Sequence, residues 1–76
     1  MATKECELHD VFCENVRARR GRLNLTQKEV AARLGISSPR YCQIERGDNI
    51  PSLDLVERVA AALGTSAQSL LRLSRP

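Results

Sequence analysis

The side chains of this 76-residue chain that could do chemistry fall into two groups. The first holds the nucleophiles and metal ligands, which are His9 and the cysteines Cys6, Cys13 and Cys42. His9 stands in a polar N-terminal segment. No Ser/His/Asp or Cys/His arrangement has a positioning pattern, and no glycine-rich phosphate loop is present, so the chain reads as no enzyme and no cofactor is expected. The cysteines are odd in number and lack Cys-x-x-Cys spacing, which favours free thiols over a disulfide framework or a zinc site with His9. The second group lies between Thr26 and Gly47, where Gln27, Arg40 and Gln43 carry planar amide or guanidinium heads beside Lys28 and Arg46. Such heads can form paired hydrogen bonds with the edge of a nucleobase, and the cations can also take a phosphate.

Two short helices must position them. Thr26 is a suitable N-cap, and Glu29 three residues on completes a capping box. Val30, Ala31 and Leu34 then place a narrow apolar stripe on about two helical turns. Gly35 follows where a helix end favours positive φ. Ser37 caps a second helix whose inward positions are Tyr41 and Ile44. Pro39 falls in its first turn, where no backbone donor is needed, and Gly47 closes it. A helix, a glycine turn and a crossing helix form the arrangement in which one helix braces while the other enters a major groove.

The pattern T-Q-x-x-V-A-x-x-L-G-I-S, three residues, then Y-x-x-I-E-R-G, resembles the helix-turn-helix of the phage repressor and Cro family, the XRE-like regulators, over roughly Val11 to Leu71. The resemblance implies an all-α, compact five-helix domain that binds a double-stranded DNA operator as a symmetric homodimer. Carried onto this chain, it assigns base contacts to Ser38, Pro39, Arg40 and Gln43, with the recognition helix at about 37–46. Gln43 suits adenine N6 and N7, whereas Arg40 suits guanine O6 and N7 or a phosphate. Pro39 departs from the polar residue of many relatives and offers only an apolar contact. Gln27 matches a phosphate-gripping glutamine at a helix N-terminus. Arg17, Lys28 and Arg46 are further candidates for the DNA backbone, each equally readable as a solvated charge. The resemblance also implies a structural pair between Arg20 and Glu45. This would explain an arginine on the apolar stripe Phe12, Val16, Arg20 and Leu23, although an arginine reaching out from the rim is the alternative. Asn24, where relatives carry glycine, tolerates positive φ.

Composition sets the frame. The length suits one small domain, divided here into a polar segment 1–9, a helix-turn-helix domain 10–73 and a tail 74–76. The first helix is expected to begin between Glu7 and Val11, with Asp10 as candidate cap, and to end near Arg22. No apolar run reaches membrane length and no secretory signal is visible, which predicts a cytoplasmic protein with no membrane partner. Residues 1–15 carry a net charge of −3 and residues 16–76 a net +6, which favours a polyanionic partner. After an Asp48–Pro51 turn, Ser52 caps a fourth helix with an inward stripe of Leu53, Val56, Ala60 and Leu63. Gly64 ends that helix, and Ser66 caps a fifth containing Leu70, Leu71 and Leu73. Leu55 and Val59 fall on another face and, with Leu71 and Leu73, form the expected dimer interface; packing of the fifth helix on the first is the competing explanation. With no room expected for a sensing domain after Leu73, no small-molecule effector is expected. The chain then resembles short regulators such as Cro-like proteins, antitoxins and restriction-modification controllers. An autoregulating controller or Cro-like role is the favoured reading, and an antitoxin or adaptor that chiefly binds another protein is the rival. Two-fold binding predicts a palindrome with half-sites ~34 Å apart.

Overall fold

In a computed structural model that describes residues 7–73, the chain folds into helices α1 (Glu7–Arg22), α2 (Gln27–Leu34), α3 (Ser38–Arg46), α4 (Leu53–Ala62) and α5 (Ala67–Leu70). Among these residues there is no strand, and no helix is long and apolar enough to cross a membrane. Cys6 and the tail at 74–76 lie outside the described residues, as does most of the 1–9 segment.

Local chemistry accounts for the helix boundaries. The Thr26 hydroxyl accepts from the Glu29 N–H at 3.0 Å while the Glu29 carboxylate accepts from the Thr26 N–H at 2.7 Å. Ser37, Ser52 and Ser66 cap α3, α4 and α5 in the same way through the N–H groups of Arg40, Leu55 and Ser69. Gly35 and Gly47 take left-handed φ values of 73° and 80° at the ends of α2 and α3. Asn24 supplies the one non-glycine positive φ among the described residues, 60°, in the turn between α1 and α2.

The core gathers one face of every helix: Phe12 and Val16 from α1, Val30 and Leu34 from α2, Tyr41 from α3, Val56 and Val59 from α4, and Leu70 from α5. Packing pairs α2 with α3, sets α1 against α3 and α5, and lays α4 on α2 and α5. Arginines tie the bundle through carbonyl ends of helices, where the partial negative charge favours a cation. Arg19 Nε and Nη2 donate to the carbonyls of Leu63 and Gly64, Arg33 to that of Ala62, and Arg58 to that of Leu34. Asn15 Nδ2 donates to the carbonyls of Leu70 and Arg72, each at 2.8 Å, fastening the end of α5 to α1.

Several expectations need correction. Helix α1 is already formed at Glu7, so Asp10 lies inside it and caps nothing. His9 therefore belongs to the helix, half-buried, and its ring carbon and Nε2 come within 3.5 Å of where a Gly47 Cβ would stand. The inward stripe of α4 is Val56, Val59, Ala60 and Leu63, spaced i, i+3, i+4, i+7. Leu53, in the first turn, is 80% exposed because it borders an open groove. Val59 is 0% exposed and cannot offer surface to a partner, while Leu55 and Leu71 are partly buried against the same core. The expected interface of Leu55, Val59, Leu71 and Leu73 is thus not a continuous outer face. Leu23 ends the α1 stripe in a turn and is over a third exposed.

The closure of α3 is the tightest glycine position. A Cβ on Gly47 would meet Cys13 Sγ at 3.2 Å in a backbone region that disfavours side chains, whereas Gly21 in α1 has open space around it. Gly47→Ala is expected to destabilise by about 1–2 kcal/mol and Gly21→Ala to stabilise by roughly 0.5–1 kcal/mol in denaturant unfolding. Equal effects of the two substitutions would contradict the packing of α3 on α1.

Candidate DNA interface

Glu45, in the last turn of α3, is buried at 3% exposure, a position a carboxylate occupies only when well partnered. Arg20 Nε from α1 donates to Oε2 at 2.5 Å and Nη2 to Oε1 at 3.3 Å. The Tyr41 hydroxyl donates to Oε2 at 2.6 Å, and Gln27 Nε2 from the first turn of α2 donates to Oε1 at 3.0 Å. Arg20 Nη1 also holds the Leu25 carbonyl at 3.0 Å, and Arg17 Nη1 holds the Glu45 carbonyl at 2.7 Å. Three helices therefore converge on one acidic group, and the orientation of α3 is set by it.

Electrostatics follows from this geometry. Burial pushes the Glu45 carboxyl up, but the donors from Arg20, Tyr41 and Gln27 outweigh it and leave the group below its ordinary range. Tyr41 is raised, first by burial and then by the carboxylate it bonds, so its hydroxyl stays a donor. Burial likewise raises the Cys13 thiol, which donates weakly to the Ile44 carbonyl at 3.6 Å. Cys13 and Cys42 are free thiols, and no group of metal ligands occurs among the described residues.

With its inner face fixed, α3 turns the other one to solvent. Pro39, Arg40 and Gln43 are exposed and Ser38 is half-buried. Arg40 and Gln43 border a cavity of about 270 Å³ shared with Asn49, Ser52 and Arg58. These last three escaped the sequence reading, because only the fold brings the α3–α4 turn and the outer side of α4 beside α3; the cap signal at Ser52 was the one local cue. Lys28 is exposed and makes no hydrogen bond to another described side chain or carbonyl. The other backbone candidates are partly engaged. Gln27 gives one amide N–H to Glu45 and its Oε1 accepts from the Cys42 thiol at 3.2 Å, leaving its second amide N–H for an outside acceptor. Arg17 holds the Glu45 carbonyl, and Arg46 pairs with Asp48 at 2.5 Å on the surface. Gln27, Cys42, Arg17 and Arg46 line one shallow depression with Glu45 at its floor.

Comparison with known proteins points the same way. A helix-turn-helix family model matches residues 16–70. An uncharacterized HTH-type transcriptional regulator of Mycobacterium tuberculosis is 36% identical over 55 residues, which is 72% of this chain; the chain spans only 39% of that relative's length. One from Methanothermobacter thermautotrophicus is 43% identical over 49 residues, 64% of this chain and 71% of that protein. Among solved structures, the hypothetical transcription factor NHTF from Neisseria superposes with a TM-score of 0.82 at 31% identity, covering 88% of this chain and 77% of that one. The clp gene regulator ClgR from C. glutamicum gives a TM-score of 0.78 at 28% identity, covering 84% and 83%.

Removing the carboxylate strands three donors at once. Glu45→Ala is expected to cost about 2–4 kcal/mol in chemical denaturation. Because the folded carboxyl is held below its ordinary value of 4.5, the unfolded chain takes up the proton first. The stability it contributes is complete above that value and disappears as pH falls through the lower folded one. The advantage of the wild type over Glu45→Gln should therefore shrink under acid; a constant difference down to pH ~3 would mean that the folded state does not favour the charged form.

Proposed function

The chain belongs to the helix-turn-helix family, and on that footing we propose that it is a sequence-specific DNA-binding regulator that seats α3 in the major groove and occupies a palindromic operator as a homodimer. The observation that carries the proposal is the division of α3 into two faces. Tyr41 and Glu45 are buried and cross-bonded to α1 and α2, while Arg40 and Gln43 stand free on the other side.

Each contact follows from side-chain chemistry. Gln43 reads adenine through N6 and N7, and Arg40 reads guanine through O6 and N7 or binds a phosphate. Pro39 lies against a thymine methyl, and Ser38 accepts or donates at the groove edge. Gln27 gives its remaining amide N–H to a phosphate at the start of α2, where the helix N-terminus adds its own attraction. Lys28, Arg17 and Arg46 complete the backbone contacts, which position the domain without reading sequence. In the cell such a chain acts as an autoregulator of the controller or Cro-like kind, shown by whether a reporter behind its own upstream DNA responds to the protein.

Duplex selection from a random pool followed by fluorescence anisotropy tests the assignment. Gln43→Ala is expected to lose ~1–3 kcal/mol on the selected site and to relax preference at one base pair, whereas Lys28→Ala should weaken cognate and random duplexes alike. If both variants lose equally on every duplex, or if no binding occurs at low salt, the proposal fails and a protein partner becomes the better reading.

A further inference from the structure

At the start of α2 the half-buried Gln27 side chain is held at both ends of its amide. Its Nε2 donates to Glu45 Oε1 at 3.0 Å, and its Oε1 accepts from the Cys42 thiol at 3.2 Å. Because a carboxylate only accepts, the end of the amide that faces Glu45 must be the NH2 end, and Oε1 is thereby turned to Cys42. Cys42 and Glu45 are three residues apart on α3, the spacing that puts two side chains on one side of a helix, and together they bracket the amide. We propose that Cys42 is a positioning residue for the phosphate contact of Gln27: its thiol fixes the plane of the amide, so that the second N–H leaves the depression in a single direction.

The bond to Glu45 cannot do this alone. The last torsion of a glutamine side chain is broad, and an amide anchored only at its nitrogen swings about that anchor while keeping the hydrogen bond. A second anchor at Oε1 removes the swing. The remaining N–H then reaches a phosphate with less ordering still to be done, which strengthens binding without adding a contact. Cys42 stands on α3 and Gln27 on α2, so the same bond ties the phosphate clamp to the helix whose outer face carries Arg40 and Gln43. Arg17, bonded to a carbonyl and so still carrying its charge, lines this depression and favours an anion there. The proposal rests on the operator reading and adds to it the part that Cys42 plays in the backbone contact.

Fluorescence anisotropy on the selected duplex and on a random duplex, together with NMR relaxation of the Gln27 side-chain amide in the free protein, tests it. Cys42→Ala removes the donor and, alanine being the better helix former, should leave helical circular dichroism intact. It is expected to raise the dissociation constant ~3–10-fold on both duplexes alike, the range of one net hydrogen bond, and to make the Gln27 amide more mobile. Cys42→Ser keeps a donor and should recover most of both losses. In a Gln27→Ala background Cys42→Ala should have no further effect, because the group it orients is gone. The slope of affinity against salt should be the same for wild type and Cys42→Ala, since an amide carries no charge, whereas Lys28→Ala should flatten it. Full affinity in Cys42→Ala, a Cys42→Ser variant as weak as Cys42→Ala, or equal losses with and without Gln27 would each overturn the proposal and leave the operator reading in place. Wild-type protein that binds neither duplex at low salt would overturn both.

Discussion

Everything that gives α3 a defined outer face depends on one buried carboxylate. Taking Glu45 out of water costs several kcal/mol unless every lone pair is answered, and here Arg20, Tyr41 and Gln27 answer them from three helices. An apolar residue at that position could fill the space but would not fix direction, because dispersion contacts tolerate rotation that charge-assisted hydrogen bonds do not. The carboxylate therefore converts a packed bundle into one with a set helix angle. Domains of this size have small cores, so a directional contact of this kind matters more here than in a larger protein.

Most of this was legible locally. Thr26 with Glu29, Ser37, Ser52 and Ser66, and the glycines at 35 and 47 each specify a boundary through neighbours three or four residues away, and the helices begin and end there. The resemblance implied that Arg20 and Glu45 meet, and their side chains do. What could not be read is whatever depends on which helices flank a given face. Leu53 and Val59 stand on different faces of α4, and the bundle covers the face of Val59 while leaving Leu53, in the first turn, open. His9 looked like part of a polar leader because its burial depends on Gly47, 38 positions along the chain and across a helix contact.

The basic balance of residues 16–76 also changes meaning in three dimensions. Arg19, Arg33 and Arg58 answer helix carbonyls, and Arg20 answers a carboxylate, so much of the positive charge holds the fold together. Charge counted along the sequence suggested a polyanionic partner, yet only part of it is presented outward near α3. Among the cations left exposed are Arg40 on α3 and Lys28 on α2, so an argument from charge rests on far fewer side chains than the net value suggested.

The pairing of Arg46 with Asp48 carries a consequence for ionic strength. A guanidinium paired with a carboxylate of its own chain adds no net charge to the surface, so it neutralises a phosphate, and frees the cations condensed there, only by leaving Asp48. That side chain then contributes little to the steepness with which added electrolyte dissolves a complex. Two surfaces of equal formal charge can thus differ in how they respond to a change of medium, according to which cations arrive already occupied.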